Sequence, residues 1–207
     1  FMLLQNTIST VLIALAVTMQ SQMNHMISKP VGADTDDLYY LYVNDIDRRE
    51  PLENALKILP FVCEVGVSEG FPGQATETNT FDREGNEIKI GMIRCDSTAF
   101  RLYNFKRASA NNHPIVNSIW MPQQTYSTLV SQAGFIEKHP LFAGEETITF
   151  GGIVEDYAVL DALRDSEGYL TYIQIQDAKK FSPWMSNGAG LLIKTTGEHG
   201  DNKKKID

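Results

Sequence analysis

Apolar residues recur at three- and four-residue steps through the first thirty positions and then at every second position in several short runs. This pattern predicts one long helix followed by a sheet-rich body. The opening FMLLQNTISTVLIALAVTMQSQMNHMISKP has no charged residue before Lys29, and its apolar run extends from Ile8 to Met19. Leu12, Leu15, Met19, Met23 and Met26 continue one stripe, with Gln20, Ser21, Gln22 and Asn24 on the opposite face. The helix is expected to end at Lys29–Pro30, where Pro30 and Gly32 break it. From Phe1 to Met19 it would rise about 28 Å, close to the hydrocarbon thickness of a bilayer. Gln5, Asn6, Thr7, Ser9 and Thr10 crowd its first half, and such side chains in lipid need partners on neighbouring helices.

Beyond residue 30 the pattern changes. DTDDLYYLYVND predicts a short helix capped by Thr35 or Asp36, with a tyrosine-rich strand as the alternative. EPLENALKIL, opened by Pro51, puts Leu52, Ala55, Leu56 and Leu59 on one helical face. PFVCEVGVSEG alternates as a strand does, and TNTFDREGNEIKIGMIRCD reads as a hairpin turning at Gly85-Asn86. FRLYNFKR is a strand candidate, QQTYSTLVSQAGF a short helix ending at Gly134, and ETITFGGIVEDY a strand interrupted by glycine. VLDALRDSEG reads as a helix, YLTYIQIQ as a strand, and NGAG as a turn into the strand LLIKTT. The fold class expected is α+β: a long hydrophobic N-terminal helix, then a globular domain on an antiparallel β-sheet with short helices. The boundaries follow as 1–30 for the membrane or filament-core helix, 31–196 for the domain and 197–207 for a polar tail.

Length and charge narrow the partners. The chain has 207 residues and a formal net charge of −8, which argues against a nucleic-acid backbone as partner. Lys203, Lys204 and Lys205 form a basic cluster that reads as solvated tail. Cys63 and Cys95 make an even pair behind an apolar segment, which fits an exported setting and one disulfide, two buried thiols being the alternative.

Candidate chemistry is sparse. His25, His113, His139 and His199 lack metal-ligand spacing, and the carboxylates of DTDD and DID carry no calcium-loop pattern. The glycine pairs of GFPGQ and FGGIV read as turns or bulges. No Gly-x-Ser-x-Gly elbow is present, and Ser109 and Ser118 near His113 do not make a triad by proximity in sequence. No catalytic residue, metal site or cofactor is expected.

Phe1-Met2-Leu3-Leu4-Gln5 at the head of a charge-free helix resembles the mature N-terminus of type IV pilins and pseudopilins. The resemblance covers the first thirty residues. It implies cleavage before Phe1 with N-methylation there, and a filament core packed through Leu3, Gln5, Ile8, Leu12, Leu15, Met19 and Met23. Gln5 stands where the family carries Glu, so a neutral hydrogen bond replaces a charge-assisted one, as in minor subunits. The function implied is a structural subunit of a pilus-like filament. Its partners would be copies of itself, and inner-membrane lipid before assembly; its final location would be the cell surface. The alternatives are a membrane-anchored extracytoplasmic binding or enzymatic domain, or a minor pilin or secretion pseudopilin.

Overall fold

The computed structural model describes residues 2–28, 32–34, 36–43, 45–72, 74–81, 87–108, 116–130, 148–157, 170–180 and 190–196. The chain divides into two compact units, Phe1–Pro30 and Val31–Asp207. The first holds helix α1, Met2–Ser28. Its apolar side chains are exposed, Leu12 at 60% and Met19 at 69% among them. Among the described residues no helix is long and apolar enough to cross a membrane. The hydrophobic helix expected from the sequence is therefore long but diluted by polar positions, and Thr18 satisfies its hydroxyl within the helix by donating to the Ala14 carbonyl at 2.8 Å.

The second unit is built on one eight-stranded sheet. Its strands are β1 (Leu38–Leu41), β2 (Val62–Glu69), β3 (Thr76–Phe81), β4 (Glu87–Cys95), β5 (Ser118–Pro122), β6 (Thr149–Val154), β7 (Leu170–Ile175) and β8 (Gly190–Thr195). Their order is β1-β8-β2-β4-β7-β5-β6, with β3 paired to β4. The sheet is mixed, which corrects the antiparallel sheet expected from the sequence: β4 runs parallel to β7, and β5 to β6. A parallel pair needs a crossover between its strands, and helix α4 (Gln123–Val130) lies in the one joining β5 to β6.

Strand alternation sorts the core onto two faces. Ser68, Cys95, Ile93, Ile173, Trp120 and Leu192 point to the face covered by helix α3 (Ser97–Tyr103), with Phe100, Tyr103 and Phe105 above them. Gly66 is what lets α3 come close, since a Cβ there would stand 2.5 Å from the Ala99 nitrogen. The other face carries Val65, Val67, Leu191 and Ile193 against Leu56 of helix α2 (Ile46–Lys57). Further along that face, Ile90, Met92, Ile119, Met121 and Tyr172 pack with Leu129 of α4. Trp120, fully buried, lies over Gly151 and Gly152, whose absent side chains make its seat. The pairing of β5 with β6 shifts register at Ile119/Trp120, which bears out a bulge in FGGIV.

Several expectations are corrected. LYYL is strand β1 where a helix was preferred, and FRLYNFKR contains the end of α3 where a strand was expected. Asp96 caps α3 by accepting from the Ala99 N–H at 2.6 Å, and Asn104 closes it in the left-handed conformation. Cys63 and Cys95 form no disulfide: both are free, Cys63 exposed and Cys95 buried. The register forbids the bridge. Cys95 pairs with Ser68, five residues along β2 from Cys63, roughly 16 Å at strand rise against the roughly 7 Å limit between bridged Cα atoms. The hairpin turn, the helix over VLDALRDSEG, most of NGAG and the polar tail lie outside the described residues.

Candidate functional site

β4 is the longest strand, and one of its edges is shared. Its last two residues pair with the end of β2, Ser68↔Cys95 and Glu69↔Arg94, while Glu87–Met92 pair with β3. Between β2 and β3 the chain makes a tight turn in which Phe71 and Gln74 exchange backbone hydrogen bonds at 3.1 and 2.7 Å. Gly70 opens that turn at φ +80°, a conformation that suits glycine, and a Cβ there would press to 2.8 Å from the Gln74 carbonyl. β8 begins at Gly190, opposite Ser68, so this corner is where two neighbouring strands stop together.

A cavity of about 510 Å³ lies at the corner, lined by Tyr40, Tyr42, Gly70, Phe71, Gln74 and the first residues of β3, including Glu77. Tyr40 and Tyr42 are two apart on the β1 side, and so share a face. Glu77 pairs with Gly91, which places it on the α3 face too. Tyr40 crosses directly over Gly190, where a Cβ would come within 2.2 Å of its ring. Its hydroxyl donates to the Ser68 carbonyl at 3.0 Å, and its ring meets Phe71 at 5.2 Å between centroids.

Behind this wall is a buried polar network. The Tyr103 hydroxyl donates to Ser68 Oγ at 3.0 Å, and Ser68 Oγ donates to the Gly70 carbonyl at 2.7 Å. Burial pushes the Tyr40 hydroxyl up to about 12, against the Gly70 and Gly190 backbone groups that draw it down. Burial also raises Tyr103 well above the ordinary range, with its bond to Ser68 opposing. Both hydroxyls therefore stay protonated in neutral solution and act as fixed donors that hold the turn.

On the opposite face of the same two strands Glu69 meets Arg94 at 3.6 Å. Glu69 is 2% exposed, and burial raises its pKa while Arg94 opposes the rise. The Tyr172 hydroxyl donates to Met92 Sδ at 2.9 Å beside this pair. Among the described residues no group of three or more His, Cys, Asp or Glu could hold a metal ion.

The residues singled out from the sequence lie elsewhere. Gln5, Ile8, Leu12, Leu15, Met19 and Met23 are exposed on α1; Leu3 belongs to that helix, and Phe1 lies outside the described residues. Ser118 is buried in β5 and accepts from Trp120 Nε1 at 3.2 Å, while Ser109 and His113 lie outside the described residues. Reading YYLYV as alternating would have shown Tyr40 and Tyr42 on one face; nothing in the sequence joins them to Phe71 or Glu77.

No family model matches the chain, and no curated protein matches it. Among solved structures it is similar to the periplasmic region of MacB from Actinobacillus actinomycetemcomitans, with a TM-score of 0.51 at 9% identity over 87% of this chain and 86% of that one. It is also similar to the extracellular domain of the ABC-type transporter YknZ from Gram-positive bacteria, with a TM-score of 0.49 at 13% identity over 82% of this chain and 86% of that one. At 9% identity the MacB likeness is one of fold. It overturns the pilin resemblance: the fold of the chain is similar to that of the MacB periplasmic region, so the filament-subunit reading falls, and with it the homopolymer partners and the filament location. A charge-free helix of α1's length was too general a feature to carry that resemblance.

Proposed function

We propose that the chain is an extracytoplasmic binding domain of a membrane-bound transporter of the MacB kind, with α1 as its tether and no catalytic activity of its own. The observation that carries this reading is the fold likeness to the MacB periplasmic region over most of both chains. The exposed apolar side chains of α1, from Ile8 to Met23, support the tether, since they gain by packing against lipid or a neighbouring helix. Tyr40 at the cavity and Tyr103 behind it support binding over catalysis, because groups held neutral by burial neither take up nor release protons near pH 7.

The two cysteines supply the test. Cys63 is exposed while Cys95 is buried, with its thiol pushed well up by burial. A membrane-impermeant maleimide applied to spheroplasts of cells that make the protein should modify it once, and Cys63→Ser should abolish the modification. Modification that appears only after lysis would place the domain on the cytoplasmic side and overturn the reading.

A further inference from the structure

The cavity at the β2–β3 turn has a lining that selects a chemistry. Three aromatic residues, Tyr40, Tyr42 and Phe71, stand around it with the carboxylate of Glu77, and no cationic side chain is among the described lining residues. We propose that this cavity binds an organic ammonium ion, with its cationic head against the rings and its charge balanced by Glu77.

Ring faces attract a cation within about 6 Å of their centroids, through the negative face of the π system. Here the rings are set in place before any ligand arrives. Tyr40 is anchored through its hydroxyl to Ser68 and packed on Phe71, so little ordering is left to binding. Tyr42, 49% exposed, stands at the mouth. Glu77 is on the same face as Tyr40, at the second residue of β3. Lys89 approaches Glu77 at 3.9 Å, an exposed and screened contact that a bound ammonium ion displaces at small cost.

Other ligand classes fit worse. An anion would meet the Glu77 carboxylate in the lining, while the neighbouring cation, Lys89, is not a lining residue. A neutral apolar molecule would strip water from that carboxylate and return nothing. The volume of about 510 Å³ suits a small organic molecule rather than a bare metal ion. The net charge of −8 adds a long-range field that draws cations toward the surface.

This inference rests on the binding-domain reading, and the two fail separately. Thiol modification reports the side of the membrane, whereas a titration of the purified full chain reports the ligand. The probe is choline, compared with its neutral carbon isostere 3,3-dimethylbutan-1-ol, followed by NMR of the tyrosine ring protons. Choline should saturate, with the isostere roughly tenfold weaker, and Glu77→Gln or Tyr42→Ala should each weaken choline roughly tenfold. Lys89→Ala should tighten it about twofold by removing the competing cation. All three substituted side chains are exposed, so the variants are expected to unfold at the wild-type midpoint. Equal affinity for the isostere, full choline affinity in Glu77→Gln, or no saturable binding would overturn the proposal.

Discussion

Glu69 and Arg94 face one another on neighbouring strands, and the carboxylate of the pair is almost wholly withdrawn from water. Arg94 keeps 19% of its side chain exposed, so the two partners tolerate loss unequally. Arg94→Met would strand a buried charge and should cost about 3 kcal/mol in urea unfolding at neutral pH. Glu69→Gln leaves an arginine that can still reach solvent and should cost less. The pH dependence has a definite sign. Burial lifts the Glu69 carboxyl above its ordinary 4.5, so the native state binds that proton more tightly than the unfolded chain. Its contribution to stability is therefore present below 4.5 and lost as pH rises through the raised value. As pH rises from 4.5 through the raised value, wild-type stability should fall relative to Glu69→Gln, and a flat difference would contradict the assignment. In Arg94→Met the loss should extend to higher pH, because the group opposing the rise is gone.

At the scale of elements, α3 and β2 approach closely at Gly66. Gly66→Ala would drive a methyl group into the backbone of Ala99, which cannot swing aside as a side-chain tip can. The expected loss is about 2–3 kcal/mol in the free energy of urea unfolding, and a neutral outcome would show that α3 slides freely on the sheet. The elements that were legible in the sequence are those with clean periodicity or clear turn signals: α1, α2, α4, β2, β3, β4, β6, β7 and β8. Residues 97–103 misled because AFRLY can be read as alternating, whereas the Asp96 cap and the burial of Ala99, Phe100 and Tyr103 make one helical face of it. β5 went unread because all five of its residues are buried, which leaves no polar alternation to see. The parallel pairs were invisible for another reason. Direction is set by which distant strand lies alongside, as when β4 meets β7 some eighty residues later.

For the whole molecule, the division at residue 30 makes a direct statement about folding. The second unit has its core on both sheet faces, so a chain of residues 31–207 should unfold cooperatively with a midpoint within experimental error of the intact protein. A marked drop, measured by urea titration with circular dichroism, would mean that α1 supplies core. The candidate site was barely legible from the sequence because it is assembled from β1, the β2–β3 turn and the start of β3, which only the sheet brings to one corner. The extent of α1 was legible, but its apolar character was overread: polar positions dilute it, and a long helix serves many architectures.

The seating of Trp120 over Gly151 and Gly152 gives the molecule an optical signature. The sequence holds two tryptophans, so Trp184→Phe leaves Trp120 as the single indole emitter, shielded from solvent on every side. Its fluorescence in the folded chain should lie toward short wavelengths and resist quenching by iodide. Any event that parts β5 from β6 would admit water to the ring and shift the emission to the red. The colour of one residue thereby reports the closure of the sheet's far edge in real time, without an added label.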